Sequence, residues 1–359
     1  MKERKIKNIV LCGATLCESG NFGDWLLQNL IEEKIREVIP DVNIMYIENH
    51  RYIKSIYRAM IKSDAFIYIP GGYLGYIEKW YSGSRIKTYQ RVKYYYLPGI
   101  VYMLTKKPMA LIGQGIGPFE YHVLQKMLSK ICNYARLVCV RDKESYNLLR
   151  KAGVKNKIYV TADCSQVLKQ YDLIYETKES RKIKTKLSGK KKIFVLFINN
   201  SEWNNKITKA LKNLFADDNY GYVIGADSVL PERENLYNFT QQFPEEKTYV
   251  FDYREPRQLL SIYDEIDVVL TPKLHTAIVG CTMNKSVIAF AVQFAKTRLY
   301  FEKIGYPERV YDLFHINSQE MQDIIKKFIN KQIYISEKII YLSQTNYVLL
   351  GKFLRNGGD

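Results

Sequence analysis

The chain has 359 residues, of which 47% are hydrophobic and 25% are charged. These proportions are typical of globular proteins and exclude a disordered chain, a collagen-like fibre and a disulfide scaffold, while the length predicts two domains. Lys and Arg total 54 against 37 Asp and Glu, which gives a net charge of +17. That charge favours anionic partners: phosphorylated small molecules, acidic lipids or nucleic acid.

Short apolar runs alternate with longer amphipathic segments in the first half of the chain, which is the pattern of a parallel, doubly wound sheet. The predicted strands are 6–12, 42–47, 65–69, 109–112, 137–140 and 158–161. The predicted helices are 24–38, 51–61, 87–104, 121–134 and 143–151. Because the strand runs are apolar throughout, we expect both faces of this sheet to be covered.

A segment rich in Lys, Ser and Thr, residues 176–192, interrupts the alternation, and we interpret it as a basic linker or long loop after a first domain, 1–175. A second domain, 193–317, repeats the pattern, and a helical tail, 318–359, follows it. The predicted strands of the second domain are 193–198, 222–225, 249–251, 268–270 and 286–291; its predicted helices are 202–215, 236–242, 256–263 and 277–283. The sequence therefore predicts an α/β protein of two Rossmann-like doubly wound domains that face a cleft.

Glycine-rich segments next to predicted strands are candidate ligand loops, because open α/β sheets bind ligands at the carboxyl ends of their strands. Residues 20–24, Gly-Asn-Phe-Gly-Asp, open the first long helix, where an anion is favoured and where Asp24 could instead cap the helix. Gly71 and Gly72 follow the strand 65–69, and residues 113–118 follow the strand 109–112. Both segments permit close backbone approach to a ligand, although the G-x-G-x-G spacing does not match a dinucleotide fingerprint.

Three charged residues lie just after predicted strands and are candidates for chemistry. His275 follows Lys273 in a strand-end loop, a setting that suits a general acid or base as well as a structural histidine. Arg141 ends the strand 137–140 and could hold a phosphate or carboxylate, or pair with a neighbouring acid. Lys296 follows the last strong strand. The other histidines are interpreted as structural: His50, His122 and His315.

The six cysteines have no metal-ligand spacing and lie mostly in apolar runs, which indicates buried thiols in a reducing compartment. They are Cys12, Cys17, Cys132, Cys139, Cys164 and Cys281. The apolar run near the start lacks a cleavage site and is interpreted as a strand, and no apolar stretch reaches the length of a membrane span. We expect a cytoplasmic protein without a metal site that contacts the inner, anionic face of the membrane.

Taken together, the ordered motifs resemble the polysaccharide pyruvyl transferase family over about residues 6–303. The motifs are Gly-Asn-Phe-Gly-Asp at 20–24, Pro-Gly-Gly at 70–72, Gly-Gln-Gly-Ile-Gly-Pro at 113–118, Val-Arg-Asp-Lys-Glu-Ser at 140–145, Ala-Asp at 162–163, Lys-Leu-His at 273–275 and the run to Lys296. The resemblance implies a GT-B-like pair of Rossmann domains. It also implies transfer of the enolpyruvyl group of phosphoenolpyruvate to two hydroxyls of one sugar, which forms a pyruvate ketal and releases phosphate without a metal or nucleotide cofactor.

The resemblance implies roles for individual residues. Arg141 corresponds to the family's donor-binding arginine, His275 to its acid/base histidine, and Lys296 to a lysine that also meets the donor. Lys273 replaces the arginine that usually precedes the histidine and cannot form a bidentate fork. Other residues expected near substrate are Asn21, Asp24, Gly71, Gly72, Gln114 and Gly115. The acceptors implied are glycans, often carried on a polyprenyl diphosphate lipid.

Two alternative functions remain open on sequence grounds. A GT-B glycosyltransferase could bind a nucleotide ribose through Glu302 or Glu308, and the Lys273 replacement suits a non-catalytic glycan-binding member. A nucleic-acid partner is not expected, because the basic residues are dispersed and no recognition motif is present. The tyrosine-rich basic segment 87–96 suits a membrane surface or a sugar platform, but we favour a partly buried helix with snorkelling cations.

Overall fold

The computed structural model describes residues 6–13, 20–47, 52–74, 89–119, 121–170, 174–229 and 233–356, which form two units, each around its own parallel sheet. Unit 1 contains residues 6–13, Leu26–Ser165 and 338–356. Unit 2 contains residues 20–25 and Gln166–Glu337. Cys17, His50 and the first two residues of the tyrosine-rich segment 87–96 lie outside the described residues.

The sheet of unit 1 is parallel and is buried in the unit. Its strands are β1 (Asn8–Cys12), β2 (Asn43–Tyr46), β3 (Ala65–Tyr68), β4 (Gly71–Leu74), β5 (Met109–Ile116), β6 (Leu137–Val140) and β7 (Tyr159–Val160). They are ordered β2-β1-β3-β5-β6-β7, and β4 pairs additionally with β5. All eight residues of β5 are buried, as expected for a strand covered on both faces.

Helices cover this sheet and close its core. They are α1 (Phe22–Val38), α2 (Tyr52–Lys62), α3 (Leu97–Tyr102), α4 (His122–Tyr134) and α5 (Lys143–Lys151). A π-helical turn, Val92–Tyr96, precedes α3, and a 3₁₀ turn, Met103–Thr105, follows it. Residues 91–95 are half-buried and Tyr96 is buried, which confirms the interpretation of the tyrosine-rich segment as a partly buried helix over its described part.

The sheet of unit 2 has the Rossmann strand order. Its strands are β8 (Lys191–Leu196), β9 (Tyr220–Gly225), β10 (Thr248–Phe251), β11 (Val268–Thr271), β12 (Ser286–Ala291) and β13 (Val310–Asp312), ordered β10-β9-β8-β11-β12-β13. Its helices are α6 (Lys178–Lys186), α7 (Ser201–Leu211), α8 (Arg233–Thr240), α9 (Pro256–Glu265), α10 (Leu274–Thr282), α11 (Phe294–Ile304) and α12 (Ser318–Phe328). The strand order reverses between β8 and β11, where such sheets bind ligands.

The helical tail is confirmed, but its two halves belong to different units. Helix α12 packs on α7 in unit 2, and the last helix, α13 (Glu337–Arg355), belongs to unit 1. In unit 1, the Asn346 side chain donates to the Ala162 carbonyl at 2.9 Å, and the Tyr347 hydroxyl donates to the Cys164 carbonyl at 2.8 Å. The C-terminal helix therefore fixes the segment that follows β7.

The segment predicted as a linker or loop, 176–192, folds as helix α6 and the start of β8. Thr177 caps α6, because its hydroxyl accepts from the Ser180 amide and the Ser180 hydroxyl accepts from the Thr177 amide. Within α6 and its C-cap, the apolar residues that are buried are Ile183 and Leu187, too few to give a clear helical period. Helix α11 and strand β13 are also absent from the sequence prediction.

Two glycine-rich segments predicted as loops are β-strand instead. Gly71 opens β4, and β5 continues through residues 113–116. The register between β5 and β6 shifts between Leu111 and Gln114, which marks an irregularity in the ladder. Gln114 is accommodated here because its buried amide donates to the Ile69 and Ile112 carbonyls at 2.5 and 3.1 Å.

The five described cysteines are buried free thiols, as the sequence predicts, and burial raises their pKa values. Within the described ranges, no helix combines the length and apolarity that a membrane crossing requires.

Candidate functional site

The glycine loop, residues 20–24, packs into unit 2 although it lies near the start of the chain. The Phe22 amide donates to the Asp227 carbonyl at 2.8 Å, and the Tyr253 hydroxyl donates to the Gly20 carbonyl. The Phe22 ring stacks on Tyr263 with 6.4 Å between centroids. Residues from a distant part of the sequence are therefore joined to the segments that follow β9 and β10 and to helix α9.

Asn21, rather than Asp24, caps helix α1. The Asn21 Oδ1 atom accepts from the Asp24 amide at 3.2 Å, and the Asn21 carbonyl accepts from the Trp25 amide at 3.0 Å. The capping alternative for Asp24 is therefore wrong. The Asp24 carboxyl lies in the first helical turn, where a negative charge is favoured by the exposed backbone N–H groups.

Five residues of unit 2 form what we call the histidine cluster: Asp24, Asp227, Lys273, His275 and Lys296. Lys273 is the N-cap of α10, and its Nζ donates to the Asp227 carboxylate at 2.5 Å. His275 lies in the first turn of α10 and faces Gly23, where an added Cβ would lie 2.3 Å from the His275 Nδ1. Lys296 lies in the first turn of α11, after β12. The loop 20–24 and three strand ends thus bring together two carboxylates, two ammonium groups and an imidazole.

The Asp24 carboxyl of the histidine cluster has a raised pKa. The pKa of the Asp24 carboxyl is raised to about 6, chiefly by burial and also by the neighbouring Asp227 carboxylate, against the lowering effects of Lys273 and Lys296. Lys273 opposes the burial effect more strongly than Lys296 does. A carboxyl with a pKa near 6 can hold or release a proton close to neutral pH, which is a property of acid/base sites.

Replacing Asp24 with Asn is expected to stabilise the protein above pH 6. Because the folded-state pKa lies above the usual 3.8, the folded protein favours the protonated carboxyl. The stability that this protonated form contributes is lost as pH rises from about 4 to about 6. Asparagine imitates the protonated form at every pH, so the gain in the free energy of unfolding is about 3 kcal/mol at pH 8 and about half of that at pH 5. Urea unfolding of both proteins at the two pH values measures this, and an equal gain at both would contradict the assigned pKa.

In unit 1, a second group surrounds Arg141, and we call it the arginine cluster: Gly115, Arg141, Asp142 and Asp163. Arg141 follows β6, and its side chain is only 10% exposed. Its guanidinium lies 3.3 Å from the Asp163 carboxylate and 3.7 Å from that of Asp142. A Cβ at Gly115 would lie 2.6 Å from the Arg141 Nε, so the guanidinium packs directly on the β5 backbone. The neighbouring-acid pairing considered for Arg141 is therefore present, and a second acid is added to it.

Asp163 is itself held in place on several sides. Its Oδ1 accepts from the Ser165 hydroxyl at 2.7 Å and from the Ser165 amide at 3.1 Å. The Ser343 hydroxyl of α13 donates to the Asp163 carbonyl at 2.6 Å. Asp142 caps α5 by accepting from the Ser145 amide at 2.7 Å. Arg141 is thus oriented by two acids, each of which is held in place by its own hydrogen bonds.

The remaining predicted site residues have structural contacts. The Gln114 side chain is fully buried and also donates to the Tyr73 hydroxyl at 3.1 Å, so it joins β5 to the corner after β3. A Cβ at Gly71 would lie 2.6 Å from the Tyr73 ring, which explains glycine there without a ligand. Gly72 lies half-buried in β4. Substrate contact by these residues stays a prediction.

Besides Asp142, two further acids contact predicted site residues without being predicted themselves. Asp227 follows β9 by two positions, and Asp163 follows β7, so the strand-end position was the signal that could have found both. Glu302 pairs with Arg298 on the surface of α11, and the exposed Glu308 lies near Arg309, so neither occupies a strand end. Among the described residues, no group of three or more His, Cys, Asp or Glu side chains is arranged to hold a metal ion.

A family model described as polysaccharide pyruvyl transferase matches residues 21–293. No curated protein sequence matches the chain. Among solved structures, S. aureus MnaA with UDP is similar at 14% identity, with a TM-score of 0.59 over 99% of this chain and 93% of that chain. Methanocaldococcus jannaschii UDP-GlcNAc 2-epimerase has 11% identity and a TM-score of 0.63 over 96% of this chain and 99% of that chain. Anabaena HepE, solved with UDP and glucose, has 11% identity and a TM-score of 0.52 over 98% and 97%. At these identities the likeness shows the fold, a GT-B-like pair of Rossmann domains.

Proposed function

Because the chain belongs to the polysaccharide pyruvyl transferase family, we propose that it transfers the pyruvyl group of phosphoenolpyruvate to a sugar of a cell-surface polysaccharide or its lipid-linked precursor. The observation that carries this proposal is the histidine cluster, in which a histidine, two lysines and a carboxyl with a pKa near neutrality lie at the strand ends of a Rossmann sheet. The family match supports the transferase class. The donor, the acceptor and the ketal product are our proposals.

The reaction requires balanced proton transfers, which the cluster is equipped to perform. The methylene carbon of phosphoenolpyruvate gains a proton, and the first sugar hydroxyl attacks the adjacent carbon. The bond from that carbon to the phosphate oxygen then breaks, and the second hydroxyl closes the ketal. Of the two hydroxyl protons, one is retained in the new methyl group and the other leaves with phosphate. His275 performs these transfers, and Asp24 holds or accepts a proton beside it.

The donor carries a carboxylate and a phosphate, and both need cationic partners. Lys273 supplies three N–H donors, of which one is directed at Asp227. The other two N–H groups can bind an anion. The contact with Asp227 orients the lysine side chain, which lacks the planar fork of arginine. Lys296 adds a second ammonium group close enough to lower the Asp24 pKa.

Arg141 is expected to contribute to donor affinity, as the family resemblance implies. Replacing Arg141 with Lys keeps the charge beside Asp142 and Asp163 but removes the fork, so phosphoenolpyruvate binding should weaken about tenfold to a hundredfold. Isothermal calorimetry of the wild type and the variant measures this. Replacing Arg150 with Lys is the matched control and should leave affinity unchanged, because this half-buried arginine of α5 donates to the Val154 carbonyl at 2.8 Å and lies outside the arginine cluster. Equal affinity for Arg141→Lys and wild type would remove Arg141 from the donor site.

Glycan-dependent phosphate release from phosphoenolpyruvate tests the proposed function. A panel of capsular and wall-polymer oligosaccharides, free and linked to polyprenyl diphosphate, is incubated with the protein and the donor. We expect one acceptor class to trigger phosphate release and to gain a ketal that is detectable by mass spectrometry. Hydrolysis of a UDP-sugar with the same acceptors, without phosphate release from phosphoenolpyruvate, would favour a glycosyltransferase instead.

A further inference from the structure

Helix α2 carries an apolar stripe on its outer surface that the core does not use. Ile53, Tyr57 and Ile61 are 82%, 66% and 57% exposed, although Ile and Tyr of this size are normally covered. They are spaced by four residues, so they lie on one face of the helix. The opposite side faces the core, where Ala59 is buried and Ile56 packs on the cluster around it. The stripe is therefore a second apolar face, which marks an interaction surface.

A row of cations runs beside the stripe. Lys54, Arg58 and Lys62 each follow a stripe residue by one position, and all three are exposed. Helix α2 contains no acidic residue that would neutralise them. Around the axis of this helix, the face that packs on the core is therefore followed by the apolar stripe and then by the cationic row. Apolar side chains flanked by Lys and Arg are the pattern of helices that lie in the interface of an anionic bilayer.

The 3₁₀ turn next to α2 extends the same surface. Leu104 in this turn is 75% exposed, and Lys106 beside it is exposed too. The turn is attached to the end of α2, because the Lys107 ammonium donates to the Met60 and Ser63 carbonyls, each at 2.7 Å. The Tyr102 and Ser63 hydroxyls also lie 2.9 Å apart. These contacts attach the turn to the C-terminal end of α2.

We propose that the α2 stripe, Ile53, Tyr57 and Ile61 with Leu104, and the cationic row, Lys54, Arg58 and Lys62, form a docking surface for an anionic lipid bilayer. The apolar residues enter the headgroup region, and the cations contact lipid phosphates beside them. Charge complementarity selects the bilayer over a second copy of this chain, because two copies would bring like cationic rows together on proteins with a net charge of +17. This inference goes beyond the proposed function, because it concerns a different surface from the residues proposed for chemistry.

Vesicle co-sedimentation tests the surface with three matched proteins. The apolar variant carries Ile53→Ser, Tyr57→Ser and Ile61→Ser, and the cationic variant carries Lys54→Gln, Arg58→Gln and Lys62→Gln. The control removes three exposed cations from α6, through Lys178→Gln, Arg181→Gln and Lys182→Gln, where no apolar stripe is involved. Vesicles of phosphatidylcholine alone are compared with vesicles that also contain phosphatidylglycerol. Phosphate release from the donor provides a separate readout of the proposed function.

We expect the wild type and the α6 control to bind the anionic vesicles and not the neutral ones. The apolar variant should bind at least about tenfold more weakly. The affinity of the cationic variant for the anionic vesicles should fall by about tenfold to a hundredfold. No binding by the wild type, or an equal loss in the α6 control, would overturn the proposal. A dimer that sediments without vesicles and dissociates in the apolar variant would also overturn it and assign the stripe to a second copy. Thermal unfolding confirms that each variant is folded.

Discussion

Replacing His275 with Gln is expected to lower the turnover rate of pyruvyl transfer by about a hundredfold to ten thousandfold. Glutamine retains a polar side chain at the first turn of α10 but cannot exchange a proton near neutral pH. The affinity for phosphoenolpyruvate should change by only a few fold, because Lys273 and Lys296 keep their charges. Steady-state phosphate release together with calorimetry separates these two effects.

His315 provides the matched control for this prediction. It lies at the surface of unit 2, with its side chain 84% exposed and its Nδ1 3.0 Å from Asp312. His315→Gln should leave both turnover and donor affinity unchanged. Unchanged turnover in His275→Gln would remove His275 from the chemistry, even if donor binding were demonstrated.

Replacing Gly23 with Ala is expected to reduce activity by about a hundredfold through a displacement of His275. The new Cβ would lie 2.3 Å from the His275 Nδ1 and 2.6 Å from its Cγ, so the imidazole must move. A displacement of about 1 Å at a reacting group is sufficient for a loss of that size. At an unobstructed position inside a helix the same change would favour the helix by about 1 kcal/mol, so a loss of activity here reports the close approach.

Gly351 is the matched control, because it also lies within a helix. A Cβ there would meet the Arg355 guanidinium at 3.3 Å and the Lys34 Cε at 3.7 Å, both at the ends of flexible side chains. Gly351→Ala should retain activity and leave the melting temperature equal or slightly higher. Full activity in Gly23→Ala would show that the His275 position is not critical for turnover.

The alternation of strands and helices could be predicted because each element carries its own local signal. Strand β6 and helix α5 begin and end at the predicted residues, since an apolar run is followed directly by an aspartate cap. The same local signal fails for α6, because this helix is mostly basic and has too few buried apolar residues to show a helical period. It also fails for β5, which continues beyond its apolar run through glycine and glutamine, where the Gln114 amide donates to the Ile112 carbonyl of the same strand.

The positions of Arg141, Lys273 and His275 after strands could be predicted from the rule that ligands bind at strand ends. Their surroundings could not be predicted. The contact between Phe22 and Asp227 joins residues that are far apart in sequence, and no periodic pattern indicates that the loop 20–24 packs in unit 2. For the same reason, the Asp227 partner of Lys273 and the raised pKa of Asp24 appear only when the chain is folded.

The central claim is that phosphoenolpyruvate is the donor, and calorimetric titration of the wild type tests it most directly. Phosphoenolpyruvate and UDP are titrated separately into the same preparation, so no knowledge of the acceptor is needed. We predict saturable binding of phosphoenolpyruvate that weakens in Arg141→Lys, with no comparable binding of UDP. Saturable binding of UDP without binding of phosphoenolpyruvate would contradict the account and assign the histidine cluster to nucleotide-sugar chemistry.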